Sequence, residues 1–167
     1  MPRLIPSPEQ CVAIFSFDDC PDADLYNAAL ALLYGCGPSM SEVLKLRRCD
    51  ILIGERMRLS IAGSSSRVLP VPKGSADRVL RAMNRPVGHS DDEFLFLRGG
   101  RRIRDLGPVL TRRSKMLGFA EPLSTTDLRH AFALHMMERN APFEIVAAMM
   151  GYRDPNWLHR ALTGSFS

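Results

Sequence analysis

A single change of hydrophobic period constrains what this chain can fold into. Apolar residues recur at helical spacing along most of its length, but between Ile51 and Val71 they fall into short β-type runs. These runs are Ile51-Leu52-Ile53, Arg58–Ile61 and Arg67–Val71, and the turn-forming stretch Gly63-Ser64-Ser65-Ser66 separates the last two. A small antiparallel sheet fits that pattern. Around it the signals are helical. Ser7, Pro8 and Gln10 read as an N-cap, a first-turn proline and the partner of a capping box, opening a short helix to about Phe15. Leu25, Ala28, Ala29, Leu32 and Leu33 set a second helix near Ala23–Tyr34, with Gly35 and Gly37 as its stop. Ser41–Leu46 begins a third. Further helical stretches lie at Ala76–Met83, around Ile103–Leu117, at Thr125–Glu138, at Phe143–Met150 and near Asn156–Leu162. Pro142 and Pro155 fall at helix starts, where a missing N–H does no harm. The expected fold class is mainly α with a small antiparallel β-sheet, in one domain over residues 7–162.

Composition narrows the function classes. With 167 residues, 46% of them hydrophobic, the chain can bury a full core. The four cysteines, Cys11, Cys20, Cys36 and Cys49, form no CxxC pair and no metal spacing with the histidines, so they read as reduced core thiols. No metal and no cofactor is expected. No apolar run approaches membrane-spanning length, and the start Met1–Pro6 carries no secretory signal, so a cytoplasmic protein is expected.

Charge is unevenly distributed. Seven cations, Arg98, Arg101, Arg102, Arg104, Arg112, Arg113 and Lys115, lie between residues 98 and 115 against the single acid Asp105. Met1–Asp50 carries seven acids and four cations. That asymmetry predicts a one-faced basic surface for a polyanion, with a solvated arginine-rich helix as the alternative. Phosphate contacts of this kind are salt-dependent and largely blind to sequence.

Two spaced segments carry a resemblance. Thr126-Asp127-Leu128-Arg129-His130-Ala131-Phe132-Ala133 is followed about twenty residues later by Met149-Met150-Gly151-Tyr152-Arg153-Asp154-Pro155. Upstream stand Leu32-Leu33-Tyr34-Gly35-Cys36-Gly37-Pro38-Ser39-Met40-Ser41-Glu42 and Arg67-Val68-Leu69-Pro70-Val71. Together, from Ser7 to Leu162, they resemble the catalytic domain of the tyrosine recombinase (phage integrase) family. The resemblance implies that fold, with DNA as partner. In the family two Arg and two His (or a His and a Trp) hold the scissile phosphate, a hairpin Lys protonates the leaving oxygen, and a Tyr attacks phosphorus. Carried over by position, the first Arg is Ser39, the hairpin Lys is Ala62, the first His is Thr126, the turn His is Tyr152 and the nucleophile is Ala161. Arg129 alone keeps its chemical group.

The resemblance therefore implies a recombinase-like chain without its catalyst. Arg129 is expected either to keep a phosphate contact or to pair with Asp127 or Glu121, and His130 to be a buried structural residue. Tyr26 and Tyr34 read as packing residues and His159 as a surface residue rather than relocated nucleophiles. The separate N-terminal core-binding domain and the C-terminal exchange helix of the family are expected to be absent. Three functions stay open. The first is an inactive DNA-binding accessory or regulatory protein, nucleoid-associated when on DNA, possessing an active recombinase or its own copies as partners. The others are an interaction module that touches no DNA, and a site-specific recombinase with a relocated nucleophile.

Overall fold

Ser7 opens the first helix as its sequence directs. In α1 (Pro8–Ile14) the Ser7 hydroxyl accepts the Gln10 N–H at 3.2 Å, and Gln10 Oε1 accepts the Ser7 N–H at 2.9 Å. The computed structural model describes residues 5–85 and 93–164. Helix α2 (Ala23–Cys36) is the centre of the molecule, because Leu25 and every residue from Ala28 to Leu33 is buried. A helix apolar on all sides must be wrapped by others, and α2 packs against α4 (Lys73–Met83) and α6 (Thr125–Glu138). It also runs one residue beyond Gly35, contrary to expectation. A Cβ on Gly35 would lie 2.5 Å from Ser75 Oγ, so this glycine serves the close approach of α4 rather than ending the helix. Gly37, at φ +80°, is the stop.

Helix α3 (Met40–Leu44) starts from Ser39, whose hydroxyl and the Glu42 carboxylate form a second capping box. Strands β1 (Ile51–Leu52), β2 (Arg58–Ile61) and β3 (Arg67–Pro70) make the expected antiparallel sheet, with Leu59 opposite Leu69. Leu59, Ile61 and Leu69 point into the core. A further hairpin, β4 (Leu97–Arg98) and β5 (Arg101–Arg102), turns on Gly99 and Gly100, both at positive φ. Two-residue strands show no periodicity, so nothing in the amino-acid pattern announces this hairpin. Helix α5 (Gly107–Met116) accordingly begins four residues later than expected from Ile103.

Helices α6, α7 (Phe143–Met149) and α8 (Pro155–Thr163) close a second, smaller core of Phe132, Ala133, Val146, Ala147, Met150 and Leu158. Cys11 and Cys36 are buried, whereas Cys49 is exposed and is not the core thiol anticipated. Among the described residues no helix is long and apolar enough to cross a membrane.

Candidate functional site

Four elements meet around the start of α6. They are the N-terminal end of α3, the β2–β3 turn, the α7–α8 turn and α6 itself. Between them lies a cleft of about 580 Å³ lined by Ser39, Lys45, Ala62, Ser65, Arg129 and Gly151, among others. Arg129 reaches it half-buried, donating from Nε to the Gly37 carbonyl at 3.1 Å and from Nη2 to the Met150 carbonyl at 3.0 Å. Asp127 is not its partner, because Asp127 Oδ2 accepts the Ser124 N–H at 2.7 Å in the cap of α6. Tyr152 stands beside the guanidinium, which lies 5.9 Å from its ring centre.

Two glycines make this geometry possible. Gly37 turns back at positive φ, and a Cβ there would sit 2.5 Å from the Phe132 ring. Gly151, at φ +87°, passes so close to Arg67 that a Cβ would lie 3.0 Å from its Nη1. Only glycine fits either corner.

The charges in the cleft are unequally matched. Arg67 grips Glu42 with both terminal nitrogens, at 2.6 and 3.0 Å, and ties down the Met149 carbonyl through Nε at 2.8 Å. Burial raises the Glu42 pKa, but the hydrogen bonds from Arg67 and Ser39 outweigh it and hold the carboxyl below its usual range. Burial lowers the Arg129 pKa, against the opposing pull of Tyr152 and Glu42. An arginine nonetheless keeps its charge. Glu42 is thus committed to Arg67, and among the described residues no carboxylate forms an ion pair with Arg129. A partly desolvated cation held by carbonyl dipoles and the neighbouring Tyr152, rather than by a carboxylate, suits an anion.

The basic segment is not the free surface that its sequence suggests. Arg113 is 0% exposed and cannot reach a ligand. It donates to Asp19 Oδ1 at 3.0 Å, Asn27 Oδ1 at 2.7 Å and the Ile14 carbonyl at 3.0 Å. Arg112 also pairs with Asp19, at 2.8 Å, and Arg98 with Asp22, at 3.3 Å. The acidic link between α1 and α2 therefore folds onto the basic segment and neutralises part of it, so the two do not form opposite faces. Arg3, one of the N-terminal cations, lies outside the described residues. Arg101, Arg104 and Lys115 are exposed, and Arg102 stacks on Phe94 with its guanidinium carbon 4.2 Å from the ring centre. Arg47 covers the same ring at 4.3 Å. Sequence reasoning overlooked Lys45, Arg47 and Arg67, because nothing in their local pattern shows which distant groups they meet.

The sequence profile described as "Phage integrase family" matches residues 7–161. This chain belongs to the phage integrase family. It is 33% identical over 131 residues to tyrosine recombinase XerC of Corynebacterium efficiens, covering 75% of this chain and 42% of that protein. To tyrosine recombinase XerD of Corynebacterium glutamicum it is 32% identical over 150 residues, covering 84% and 49%. The chain thus spans less than half the length of these relatives. Its fold matches that of XerA recombinase at a TM-score of 0.82 and 14% identity, over 96% of this chain and 58% of the other. It also matches the Tn1549 transposon integrase in complex with circular intermediate DNA, at 0.77 and 18%, over 96% and 61%.

In the integrase frame, Ser39, Ala62 and Arg129 line one cleft, with Gly151 bringing in the turn that carries Tyr152. Ser39 spends its hydroxyl and N–H inside the cap of α3, so it does not replace a phosphate-binding arginine. Ala62 and Thr126 are exposed, and Ala161 is half-buried on α8. Ala62 and Ala161 have no polar side-chain group, and Thr126 offers an uncharged hydroxyl. Tyr26 is buried and Tyr34 half-buried on α2, the Tyr34 hydroxyl 2.8 Å from His135 Nδ1, while His159 is exposed. His130 is half-buried rather than fully enclosed.

Proposed function

We propose that this chain is a catalytically inactive member of the integrase family that binds duplex DNA through its phosphates and acts as an accessory or regulatory protein. The observation that carries this reading is the cleft itself. It keeps one charged guanidinium, Arg129, on main-chain carbonyls with no carboxylate ion pair among the described residues, while Ala161 stands at the position of the nucleophile. A site of that composition retains electrostatic attraction for a phosphodiester. It has neither a tyrosine at the nucleophile's position nor a hairpin lysine to protonate the leaving group, and each such loss removes on the order of a hundredfold or more in rate. The structural neighbour solved with circular intermediate DNA supports DNA as the ligand class.

The test has two arms. Duplex DNA should be retarded at low ionic strength and released as salt rises, with Arg129→Ala binding more weakly; absence of any retardation removes the DNA-binding reading. Nicked suicide DNA should yield no covalent adduct. An adduct that disappears in Tyr152→Phe would instead establish a relocated nucleophile, the one alternative that the closeness of Tyr152 to Arg129 favours.

A further inference from the structure

We infer that the β2–β3 turn, which has no lysine at Ala62, serves in this chain as a brace. Ser65 and Arg67 are positioning residues that fix the carbonyls of residues 149–151 and thereby aim the Arg129 guanidinium. That the aimed group meets a DNA phosphate rests on the reading above, whereas the brace is a property of the free chain.

The end of α7 shows why a brace is needed. A helix leaves its last carbonyls without intrahelical partners. Here the Met150, Tyr152 and Gly151 N–H groups donate to the Val146, Ala147 and Ala148 carbonyls, at 3.1, 3.0 and 3.0 Å. The next three carbonyls are reached by side chains instead. Arg67 Nε donates to the Met149 carbonyl at 2.8 Å, Arg129 Nη2 to that of Met150 at 3.0 Å, and Ser65 Oγ to that of Gly151 at 3.2 Å. The acceptor of Arg129 is therefore flanked on both sides by carbonyls held from the hairpin. Arg153 ties the same two turns in the other direction, donating from Nη2 to the Ser64 carbonyl at 2.7 Å.

The hairpin side is anchored in its turn. Arg67 Nη1 donates to the Ser65 carbonyl at 2.8 Å and to Glu42 at 2.6 Å, which fastens the turn to α3. Gly151 admits the Arg67 side chain because it has no Cβ. The same glycine leaves the backbone wide freedom in φ and ψ, so hydrogen bonds must fix the peptide planes on either side of Met150. Arg129 donates to the carbonyls of Gly37 and Met150, and it is aimed only as well as those two atoms are. A cation already held in place loses less side-chain freedom when it meets an oxyanion.

The first test uses nitrogen-15 NMR of the free chain, following hydrogen exchange of the Arg129 Nε–H, assigned by its loss in Arg129→Lys. Ser65→Ala should speed that exchange about two- to tenfold, the net worth of one hydrogen bond, and Ser65→Thr, which keeps the hydroxyl, should restore it. The Arg113 Nε–H, bound to Asp19, should exchange as in the wild type. Unchanged exchange at Arg129, or equal acceleration at both arginines, overturns the brace. Duplex binding is the second readout. Ser65→Ala should weaken it about two- to tenfold in the wild-type chain and leave it unchanged in an Arg129→Ala background. An equal loss in both backgrounds would mean that Ser65 touches the phosphate itself, and would overturn its positioning role. Faster Arg129 exchange in a chain that retains no duplex would keep the brace and remove the DNA-binding reading.

Discussion

Replacing Asp19 by alanine isolates the contact that turned a basic sequence segment into part of the core. Asp19 is the countercharge of Arg113, whose side chain is 0% exposed while that of Asp19 is 7% exposed. The variant deletes the Asp19 contacts at 3.0 and 3.3 Å, leaving Arg113 with the Ile14 carbonyl and Asn27. Breaking a buried pair from one side costs about 3–5 kcal/mol, because the remaining charge stays desolvated. With a urea m-value of about 2 kcal/mol/M, the unfolding midpoint should fall by about 1.5–2.5 M. Burial by itself would raise the Asp19 pKa, but hydrogen bonds from Arg113 and Arg112 overcome it and hold the carboxyl well below the usual range. A depressed folded-state pKa means that the stabilisation is fully present above the unfolded value, near 3.9, and is lost as pH falls through the folded one. The gap between wild type and variant should therefore be constant near neutral pH and narrow below about pH 4. Urea unfolding monitored by circular dichroism at pH 7 and pH 3 measures both effects. A shift at pH 7 of less than about 0.5 M would match an exposed ion pair and refute the argument from burial.

Other perturbations follow from the same geometry. Arg67→Ala removes the bidentate grip on Glu42 and the tie to Met149, and should cost about 2–4 kcal/mol in urea unfolding; because the Glu42 pKa is lowered, that loss should shrink as pH drops below about 4.3. The same variant should bind DNA more weakly than removal of one distant cation does, since Glu42 would then face the cleft unanswered; unchanged binding would show that Glu42 does not act on the ligand. Gly37→Ala must adopt φ +80° and meet the Phe132 ring, so a loss of about 2–4 kcal/mol is expected, and a neutral result in thermal unfolding would discard the steric argument. Burial pushes the Cys11 and Cys36 thiols up to about 12, so a thiol reagent at pH 8 should label exposed Cys49 first and those two only on unfolding. Mass spectrometry of the labelled native chain decides this, and labelling of Cys11 or Cys36 at the rate of Cys49 counts against it.

The amino-acid sequence alone carried the family and most of the scaffold. The Ser7–Gln10 capping box, the bounds of α6 and the three-stranded sheet all depend on residues within a turn or two of each other. Their signals therefore survive in one dimension. The resemblance also placed Arg129 on α6. What the sequence could not show was which charges are already answered. Asp19 and Arg113 are 94 residues apart, and Arg67 and Met149 are 82 apart. No periodicity links such positions, because their meeting depends on how α2 seats α5, α6 and the sheet around itself. Tertiary packing thus took Arg113 out of the ligand-binding set and committed Glu42 to Arg67. It left Arg129 on two carbonyls beside Tyr152, with no ion pair among the described residues. Local order came from hydrogen bonds and apolar spacing along the chain, whereas the electrostatics of the site came from which distant segments desolvate one another.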